Sequence, residues 1–161
     1  MIYHICKNNS DFYGGIFMKK LIKEKVDKLE KKHNTTNPLE LCSCLGIFVF
    51  KTDLGKVKGF LQIEDGVKMI HLNSNLNYRE QLYTCAHEIG HALLHKHLNT
   101  IFLENKTFIS TNRLENEANL FAVELLLRNV SLDVGIDDQI TYKYLSQISG
   151  IPLDYLLLKY N

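Results

Sequence analysis

Residues 87–91 read His-Glu-Ile-Gly-His, and this stretch decides how the rest of the 161-residue chain is interpreted. On a helix, residues four positions apart lie on one face, so the imidazoles of His87 and His91 can reach the same metal ion. Glu88 lies about 100° further round the helix. There its carboxylate can take a proton from a water at the metal without binding the metal itself. HEIGH therefore predicts two zinc ligands and a general base, provided that its surroundings support a helix.

The residues before the motif favour such a helix. Asn77 followed by Glu80 resembles a capping box, with asparagine in place of the usual serine or threonine. We therefore predict a helix from about Tyr78 to His97 with the motif near its middle.

A catalytic zinc site usually has three protein ligands and leaves the fourth position to water, so a third ligand is needed. His95 lies on roughly the same face as His87 and His91, but about 6 Å further along the axis from His91. We expect His95 to line the cleft or to pack against it, with contact to a substrate as the other possibility. His97 stands where metzincins have their third histidine, but Leu94 replaces the glycine of that motif. Without the glycine the helix need not turn, and His97 should point away.

The better candidate lies in residues 115–122, ENEANLFA, on the next predicted helix, from about Asn112 to Arg128. Glu115 and Glu117 are about 200° apart on that helix, so only one of them can face the zinc. The face of Glu115 carries small residues that let two helices approach closely. The face of Glu117 instead indicates a partly solvated boundary with charge pairing along the helix. We choose Glu115 as the third ligand, and we place Asn119 as a hydrogen-bond partner of a ligating group such as a histidine.

The remaining sequence predicts short elements around these two helices. We expect helices at Met18–His33, Pro38 to about Leu45, about Gln139 to Ser149 and Pro152–Tyr160, and strands at Ile47–Phe50, Lys56–Gln62 and Val67–Leu72. The predicted fold class is α+β: a small, mainly antiparallel sheet packed against a zincin-type active-site helix and a second ligand-bearing helix, with short C-terminal helices.

Residues 1–17 differ from the rest of the chain, because they are irregular and rich in turn-forming residues, whereas a helical repeat begins at Met18. Two interpretations remain open. Residues 1–17 are a flexible tail of the protein, or translation of a bacterial gene starts at Met18 and Gly14-Gly15 is a ribosome-binding sequence translated in frame. Residues 18–161 are expected to form a single metallopeptidase domain.

Charge and composition disfavour several classes of function. The chain has 19 basic and 18 acidic residues and a formal net charge of +1, so it lacks the basic surface typical of a nucleic-acid-binding protein. No apolar run approaches the length of a membrane span, and no secretory signal is apparent. Cys6, Cys42, Cys44 and Cys85 show neither zinc-type spacing nor the density of a disulfide scaffold. We expect free thiols in a reducing cytoplasm, with Cys42 and Cys44 buried.

Together, the two motifs resemble those of the ImmA/IrrE-type metallopeptidases. Residues 87–95, HEIGHALLH, are preceded by Arg79, Thr84 and Ala86, which match that family's run before its motif with one extra residue between Arg and Thr. Residues 115–126, ENEANLFAVELL, match its downstream E-x-x-A-N-x-F-A.

The resemblance covers roughly Lys20 to the C-terminus, with specific motifs from Tyr78 to Leu127. One departure is Leu126-Leu127-Arg128-Asn129, where many relatives have Leu-Met-Pro, which leaves the local end of the helix open. The resemblance implies a gluzincin-like site that holds one Zn²⁺ ion, with His87, His91 and Glu115 as ligands and Glu88 as general base.

The resemblance also implies a cytoplasmic protein of a bacterial cell, possibly phage-encoded, whose substrate is a helix-turn-helix transcriptional repressor of a phage or mobile element. The alternative is a regulatory protein that binds a repressor through the same fold without cutting it, and Glu88, present beside both histidines, argues against it. DNA binding by the C-terminal helices is a third possibility, which the charge count disfavours. The oligomeric state stays open.

Two features of the cleft are also open. Strand Val67–Leu72, just ahead of the motif helix, could present an edge to an extended substrate, or it could merely fill the sheet. No residue can be assigned to stabilise the oxyanion; Tyr83, Tyr155, His95 and His71 are candidates that could equally be packing or surface residues.

Overall fold

The computed structural model describes residues 9–95, 108–130 and 141–160. The helices are α1 (Asn9–His33), α2 (Pro38–Cys44), α3 (Tyr78–Leu94), α4 (Phe108–Leu126), α5 (Tyr142–Ser149) and α6 (Leu153–Tyr160), and the strands are β1 (Ile47–Thr52), β2 (Gly59–Glu64) and β3 (Val67–Asn73). A 3₁₀ turn, Leu127–Asn129, extends α4. The predicted α+β class is confirmed.

The motif helix α3 begins where the capping box predicted. The side-chain oxygen of Asn77 accepts a hydrogen bond from the amide of Glu80 at 3.0 Å, and the Glu80 carboxylate accepts one from the amide of Asn77 at 3.0 Å. These bonds satisfy amide groups that the start of a helix leaves without partners. The helix ends at Leu94 rather than at His97, with His95 as its C-cap.

The strands described form a mixed sheet in the order β1-β3-β2. β2 and β3 are an antiparallel hairpin, joined by Asp65 and Gly66, whose φ values of 50° and 81° suit a tight two-residue turn. β1 lies parallel to β3 on its other side, so only one of the two strand pairs is antiparallel. β3 carries the fully buried Ile70 and Leu72 and is bonded on both sides. Of the two possibilities left open for this strand, the structure supports the second: β3 fills the sheet and offers no edge to a substrate.

The motif helix lies between the sheet and the other long helices. The sheet packs against α2 and α3, α4 packs along α3, and α1 and α6 pack on α4. The core combines buried apolar side chains from each of these layers: Ile22, Val26, Leu41, Ile70, Leu72, Ile89, Phe121, Val123, Leu125 and Leu156. Burying one such side chain stabilises a fold by about 1.5–3 kcal/mol. Contacts with both the sheet and α4 therefore fix the position of the ligand-bearing face of α3.

Gly90, inside the motif, lets α3 and α4 approach closely. A Cβ atom at this position would lie 3.1 Å from the Cα of Ala118 and 3.2 Å from its carbonyl oxygen. These are backbone atoms, so they cannot move aside unless α4 moves with them. The contact of Gly90 with Ala118 thus brings the two helices close enough for side chains of both to share one site.

α1 begins at Asn9, so residues 9–17 are helical and not irregular as predicted. A glycine costs a helix about 1 kcal/mol, and the packed part of α1, which buries Ile22 and Val26, offsets that cost at Gly14-Gly15. Residues 1–8 lie outside the described part of the chain, and the tail and the alternative start remain predictions.

Arg128 and Asn129, which depart from the Leu-Met-Pro pattern, form hydrogen bonds at the end of α4. Arg128 donates hydrogen bonds to Asp27 at 2.5 Å, to Glu124 at 3.1 Å and to Glu30. Asn129 donates to the carbonyl oxygen of Thr36 at 3.0 Å. The end of α4 is therefore tied to α1 and to the segment between α1 and α2.

The two C-terminal helices form close to the predicted positions. Thr141 caps α5, which ends at Gly150 with a φ of 75°. The guanidinium of Arg79 at the start of α3 donates to the carbonyl oxygen of Gln147 at 2.5 Å. α6 packs on α4 through the buried Leu156. This packing places the first turn of α6 beside the motif helix.

Cys42 and Cys85 are buried, with sulfur atoms 3.5 Å apart, whereas Cys44 is exposed, contrary to the prediction. The contact with Cys42 and burial raise the pKa of the Cys85 thiol, which makes it unreactive. Cys6 lies outside the described residues. Of the helices in the three described segments, none has the length and apolar character that crossing a membrane requires.

Candidate metal centre

Donor atoms of α3 and α4 meet at one point. The Nε2 atoms of His87 and His91 are 3.1 Å apart. One carboxylate oxygen of Glu115 lies 3.3 Å from Nε2 of His87, and the other lies 3.3 Å from Nε2 of His91. The structure thus brings together the three residues that the sequence predicted as ligands.

These distances fit a tetrahedral metal ion. Zinc bonds histidine nitrogen and carboxylate oxygen at about 2.0–2.1 Å, so two ligands of a tetrahedral ion are about 3.3 Å apart. The three separations of 3.1–3.3 Å agree with this value. Two imidazoles and one carboxylate are also a ligand set of catalytic zinc sites, where the fourth position stays open. The donor types present therefore suit a metal, and one donor atom from each residue can be chosen so that all three lie within 4.8 Å of one another.

The charges of this cluster stabilise one another. Hydrogen bonds from His87 and His91 hold the pKa of Glu115 well below its usual range. Burial disfavours a charged His87, but the hydrogen bond to Glu115 and the nearby Glu88 carboxylate outweigh it, and the pKa of His87 is raised. Glu115 is consequently ionised throughout the physiological pH range and can act as an anionic ligand.

Glu88 lies beside the three donors without being one of them. Its side chain is buried and lines the same cleft as His87 and Glu115. Burial raises the pKa of Glu88, although the two histidines and a hydrogen bond from the backbone of Leu61 act in the opposite direction. A raised pKa brings a carboxylate closer to the value at which it exchanges protons efficiently near neutral pH.

Asn119 fixes the orientation of His87. Its side-chain oxygen accepts hydrogen bonds from Nδ1 of His87 at 2.8 Å and from the hydroxyl of Tyr83 at 2.8 Å. Because this oxygen can only accept, Nδ1 of His87 must carry a hydrogen, and a metal could bind this imidazole only through Nε2. Asn119 is thus placed where the sequence predicted a partner of a ligating histidine.

His91 has a different partner, which the sequence did not predict. Its Nδ1 lies 3.1 Å from Nδ1 of His95, and Nε2 of His95 lies 3.1 Å from Glu117. Arg113 donates to the other oxygen of Glu117 at 2.8 Å. Glu117 is buried, so the prediction of a partly solvated boundary is wrong. The predicted charge pairing along this face of the helix is found, between Arg113 and Glu117 and between Glu124 and Arg128.

The structure separates the candidates for oxyanion stabilisation. The Tyr83 hydroxyl donates a hydrogen bond to Asn119, and both ring nitrogens of His95 are hydrogen-bonded, one to His91 and the other to Glu117. His71 is stacked between Phe50 and Phe60 in the sheet, with ring centroids at 5.4 and 4.5 Å. Tyr155 of α6 remains, since it lines the cleft and stacks on Tyr83 at 5.8 Å. His97 lies outside the described residues.

The cleft at the cluster has a volume of about 760 Å³. α3 and α4 form its floor, and β2 and the start of α6 contribute its walls, including Lys58, Gly59, Asp154 and Tyr155. A Cβ atom on Gly59 would lie 2.6 Å from the Thr84 side chain, so glycine lets β2 approach α3 at this point. The cleft therefore joins the cluster of His87, His91 and Glu115 to β2, which lies at the edge of the sheet among the described strands.

Comparison with known proteins assigns the chain to a family. The IrrE N-terminal-like domain matches residues 42–145, which include both helices of the cluster. The chain belongs to the IrrE N-terminal-like family. This match confirms the resemblance drawn from HEIGH and the downstream motif.

Two proteins that are similar to this chain agree with the family assignment. A protein of Bacillus phage phi105 named uncharacterized immunity region protein 2 is 39% identical over 140 residues, which cover 86% of this chain and 89% of that protein. Metallopeptidase ImmA of Bacillus subtilis (strain 168) is 39% identical over 120 residues, which cover 73% of this chain and 70% of that protein. Membership of this peptidase family implies a metal ion, and His87, His91 and Glu115 could bind one.

Proposed function

We propose that the protein is a zinc-dependent metallo-endopeptidase in which His87, His91 and Glu115 bind one zinc ion and Glu88 is the general base. The observation that carries this proposal is the meeting of these three side chains: Nε2 of His87 lies 3.1 Å from Nε2 of His91, and each of these nitrogens lies 3.3 Å from one oxygen of Glu115. The buried carboxylate of Glu88 beside them supports it further, since a metal site without catalysis would not need this group.

The roles of the side chains follow from their positions. A bound zinc ion supplies Lewis acidity, which polarises a scissile carbonyl and makes a water easier to deprotonate. Glu88 accepts the proton of the attacking water and returns it to the leaving amine. Asn119, itself bonded to Tyr83, keeps His87 in the tautomer that leaves Nε2 free. Tyr155 is the cleft side chain that we assign to the developing oxyanion, because Tyr83, His95 and His71 each already have a side-chain hydrogen-bond partner.

We propose that an extended substrate binds along β2. Among the strands of the described segments, β2 lies at an edge of the sheet, and the backbone amide of Asn73 in β3 donates to the carbonyl oxygen of Lys58 at 2.9 Å. In an antiparallel pair the bonding direction alternates, so the backbone groups of Gly59, the next residue, point away from β3. Gly59 also lines the cleft. Main-chain hydrogen bonds to this edge would hold a peptide with little demand on its sequence.

For the substrate we propose a helix-turn-helix repressor of a phage or mobile element, met in the bacterial cytoplasm. Two things support this choice: the family resemblance itself, and a phage relative named as an immunity region protein. DNA binding by α5 and α6 is disfavoured, because α6 packs on α4 through Leu156 and the ammonium of Lys159 is paired with Glu124 at 2.8 Å.

The test first looks for a helix-turn-helix repressor gene beside this one and then incubates the purified protein with the product of that gene. We expect zinc-loaded protein to cut the repressor at one position, a chelator to stop cleavage, and added zinc to restore it. Mass spectrometry of the products identifies the new termini. Stable binding of the repressor without any cut would instead support the non-cleaving regulator.

Zinc affinity should fall as the pH is lowered. Ligating histidines must be neutral before they bind a metal. The pKa of His87 is raised above the value of about 6.5 for an ordinary imidazole, so protons compete with zinc for His87 at a higher pH. Glu115 adds little to this loss, since its pKa is held low. Competition with a chromophoric chelator between about pH 5.5 and 8 measures the effect. A constant affinity over this range would contradict the histidine ligands.

A further inference from the structure

We propose that His95 and Glu117 form, with Arg113, a hydrogen-bonded chain that positions the His91 imidazole and determines which of its nitrogens can bind a metal. The chain runs from Nδ1 of His91 to Nδ1 of His95 at 3.1 Å, from Nε2 of His95 to Glu117 at 3.1 Å, and from Glu117 to Arg113 at 2.8 Å. The inference rests on the proposed metal site, because His91 is one of its ligands.

The order of donors and acceptors in this chain follows from the acceptor at its end. An ionised carboxylate can only accept hydrogen bonds, so Nε2 of His95 must carry a hydrogen and donate it to Glu117. Nδ1 of a neutral His95 is then an acceptor, and the hydrogen between the two imidazoles belongs to Nδ1 of His91. A metal could then bind His91 only through Nε2, the nitrogen that lies 3.1 Å from Nε2 of His87 and 3.3 Å from Glu115.

The burial of His95 and Glu117 makes the order of donors and acceptors energetically important. The side chains of His95 and Glu117 are 4% and 11% exposed, whereas that of Arg113 is 73% exposed. A buried imidazole whose hydrogens pointed the wrong way would leave polar groups without partners, and no nearby water would compensate the loss. Arg113 at the surface keeps Glu117 oriented toward His95. His95, four positions after His91, thereby fixes the orientation of His91 through Nδ1, the nitrogen that does not face His87.

The two histidine ligands are consequently supported in different ways. His87 donates to a neutral amide, Asn119, whereas His91 donates to an imidazole that is itself bonded to a carboxylate. A carboxylate behind a ligating histidine raises the basicity of that ligand and fixes the plane of its ring. We therefore expect the support of His91 to influence metal affinity more than a packing contact would.

The first test replaces His95 by phenylalanine or by asparagine. His95→Phe keeps the ring but has no acceptor for His91, and zinc affinity should fall about 10- to 100-fold, the range found for partners of ligating groups. His95→Asn places an amide oxygen near the position of Nδ1, so it should recover part of that affinity. Chelator competition gives the dissociation constants, and the visible absorption of Co²⁺-loaded protein reports a change of ligand geometry. If His95→Phe binds zinc as tightly as the unmodified protein, the inference is overturned.

The second test compares two glutamates of α4. Glu117 and Glu124 have side chains that are 11% and 13% exposed, and each pairs with an arginine four positions away along the chain. Glu117→Gln should weaken zinc binding several-fold, whereas Glu124→Gln should leave it unchanged. Equal losses in both variants would show a general effect of α4 stability and would overturn the inference.

A measurement without metal keeps the inference separate from the proposed function. Nitrogen-15 NMR of the metal-free protein should show His95 protonated on Nε2 and not on Nδ1, and Glu117→Gln should disturb this pattern while Glu124→Gln does not. If the unmodified protein bound no zinc, the proposed function would fail, and the NMR pattern would still decide the inference. The opposite tautomer of His95 would overturn the chain while leaving the three ligands intact.

Discussion

Glu88→Gln is expected to lower the rate of peptide cleavage by about two to four orders of magnitude while zinc remains bound. Glutamine has nearly the same shape as glutamate, but its amide cannot take a proton from water. The metal should stay, because the three donor atoms belong to His87, His91 and Glu115. The variant therefore separates the chemical step from metal binding.

The surroundings of Glu88 make this exchange a clean one. The backbone of Leu61 gives Glu88 a hydrogen bond that lowers its pKa, and the side-chain oxygen of glutamine can accept the same bond. Burial raises the pKa of the Glu88 carboxyl, so a neutral amide at this position should not destabilise the fold. The loss should appear in kcat at unchanged zinc content, measured by product formation and by metal analysis of the same sample. Glu124→Gln, away from the cleft, is the control and should cleave normally. Normal cleavage by Glu88→Gln would rule out this residue as the base.

The ligand cluster could be predicted because its geometry is local. The spacing of His87 and His91 is enough to place both on one helical face, and the capping box at Asn77 is a contact between near neighbours. Glu115 could be selected because the small residues on its face indicated the close approach that Gly90 and Ala118 make.

The strand order could not be predicted in the same way. β1 and β2 are consecutive along the chain, yet both pair with β3 and not with each other. This order places β3, with its buried Ile70 and Leu72, between two neighbouring strands. The alternation of apolar residues along a strand does not show which strands will be its neighbours. The sequence therefore left open whether Val67–Leu72 is an edge strand or fills the sheet.

The contact between His95 and Glu117 was missed for a related reason. The face of Glu117 looked solvated when α4 was considered by itself, and the last turn of α3 was not placed over it. A signal was present, since His91 and His95 are four positions apart on α3. The sequence did not show how α3 and α4 cross. This crossing brings the carboxylate of Glu117 to His95, which in turn contacts His91.

The crossing also explains why Glu115→Ala should have the largest effect on the metal. Its carboxylate spans the two histidines, with one oxygen 3.3 Å from each Nε2. Without it, two neutral imidazoles remain, and a site with two ligands and no negative charge should hold zinc much more weakly than one with three. We expect a loss larger than the roughly 100-fold at the upper end for residues that only support a ligand.

Glu117→Ala is the informative comparison, because the two glutamates are two residues apart on one helix and only one contacts the ligand nitrogens. The Glu115 side chain is 42% exposed, so its removal opens no buried cavity, and metal-free Glu115→Ala should retain its fold by circular dichroism. Removing the buried Glu117 should instead lower stability and reduce zinc affinity by less. Chelator competition on both folded variants measures the order of the two losses. If Glu117→Ala lost more zinc affinity than Glu115→Ala, the third ligand would have been assigned to the wrong glutamate.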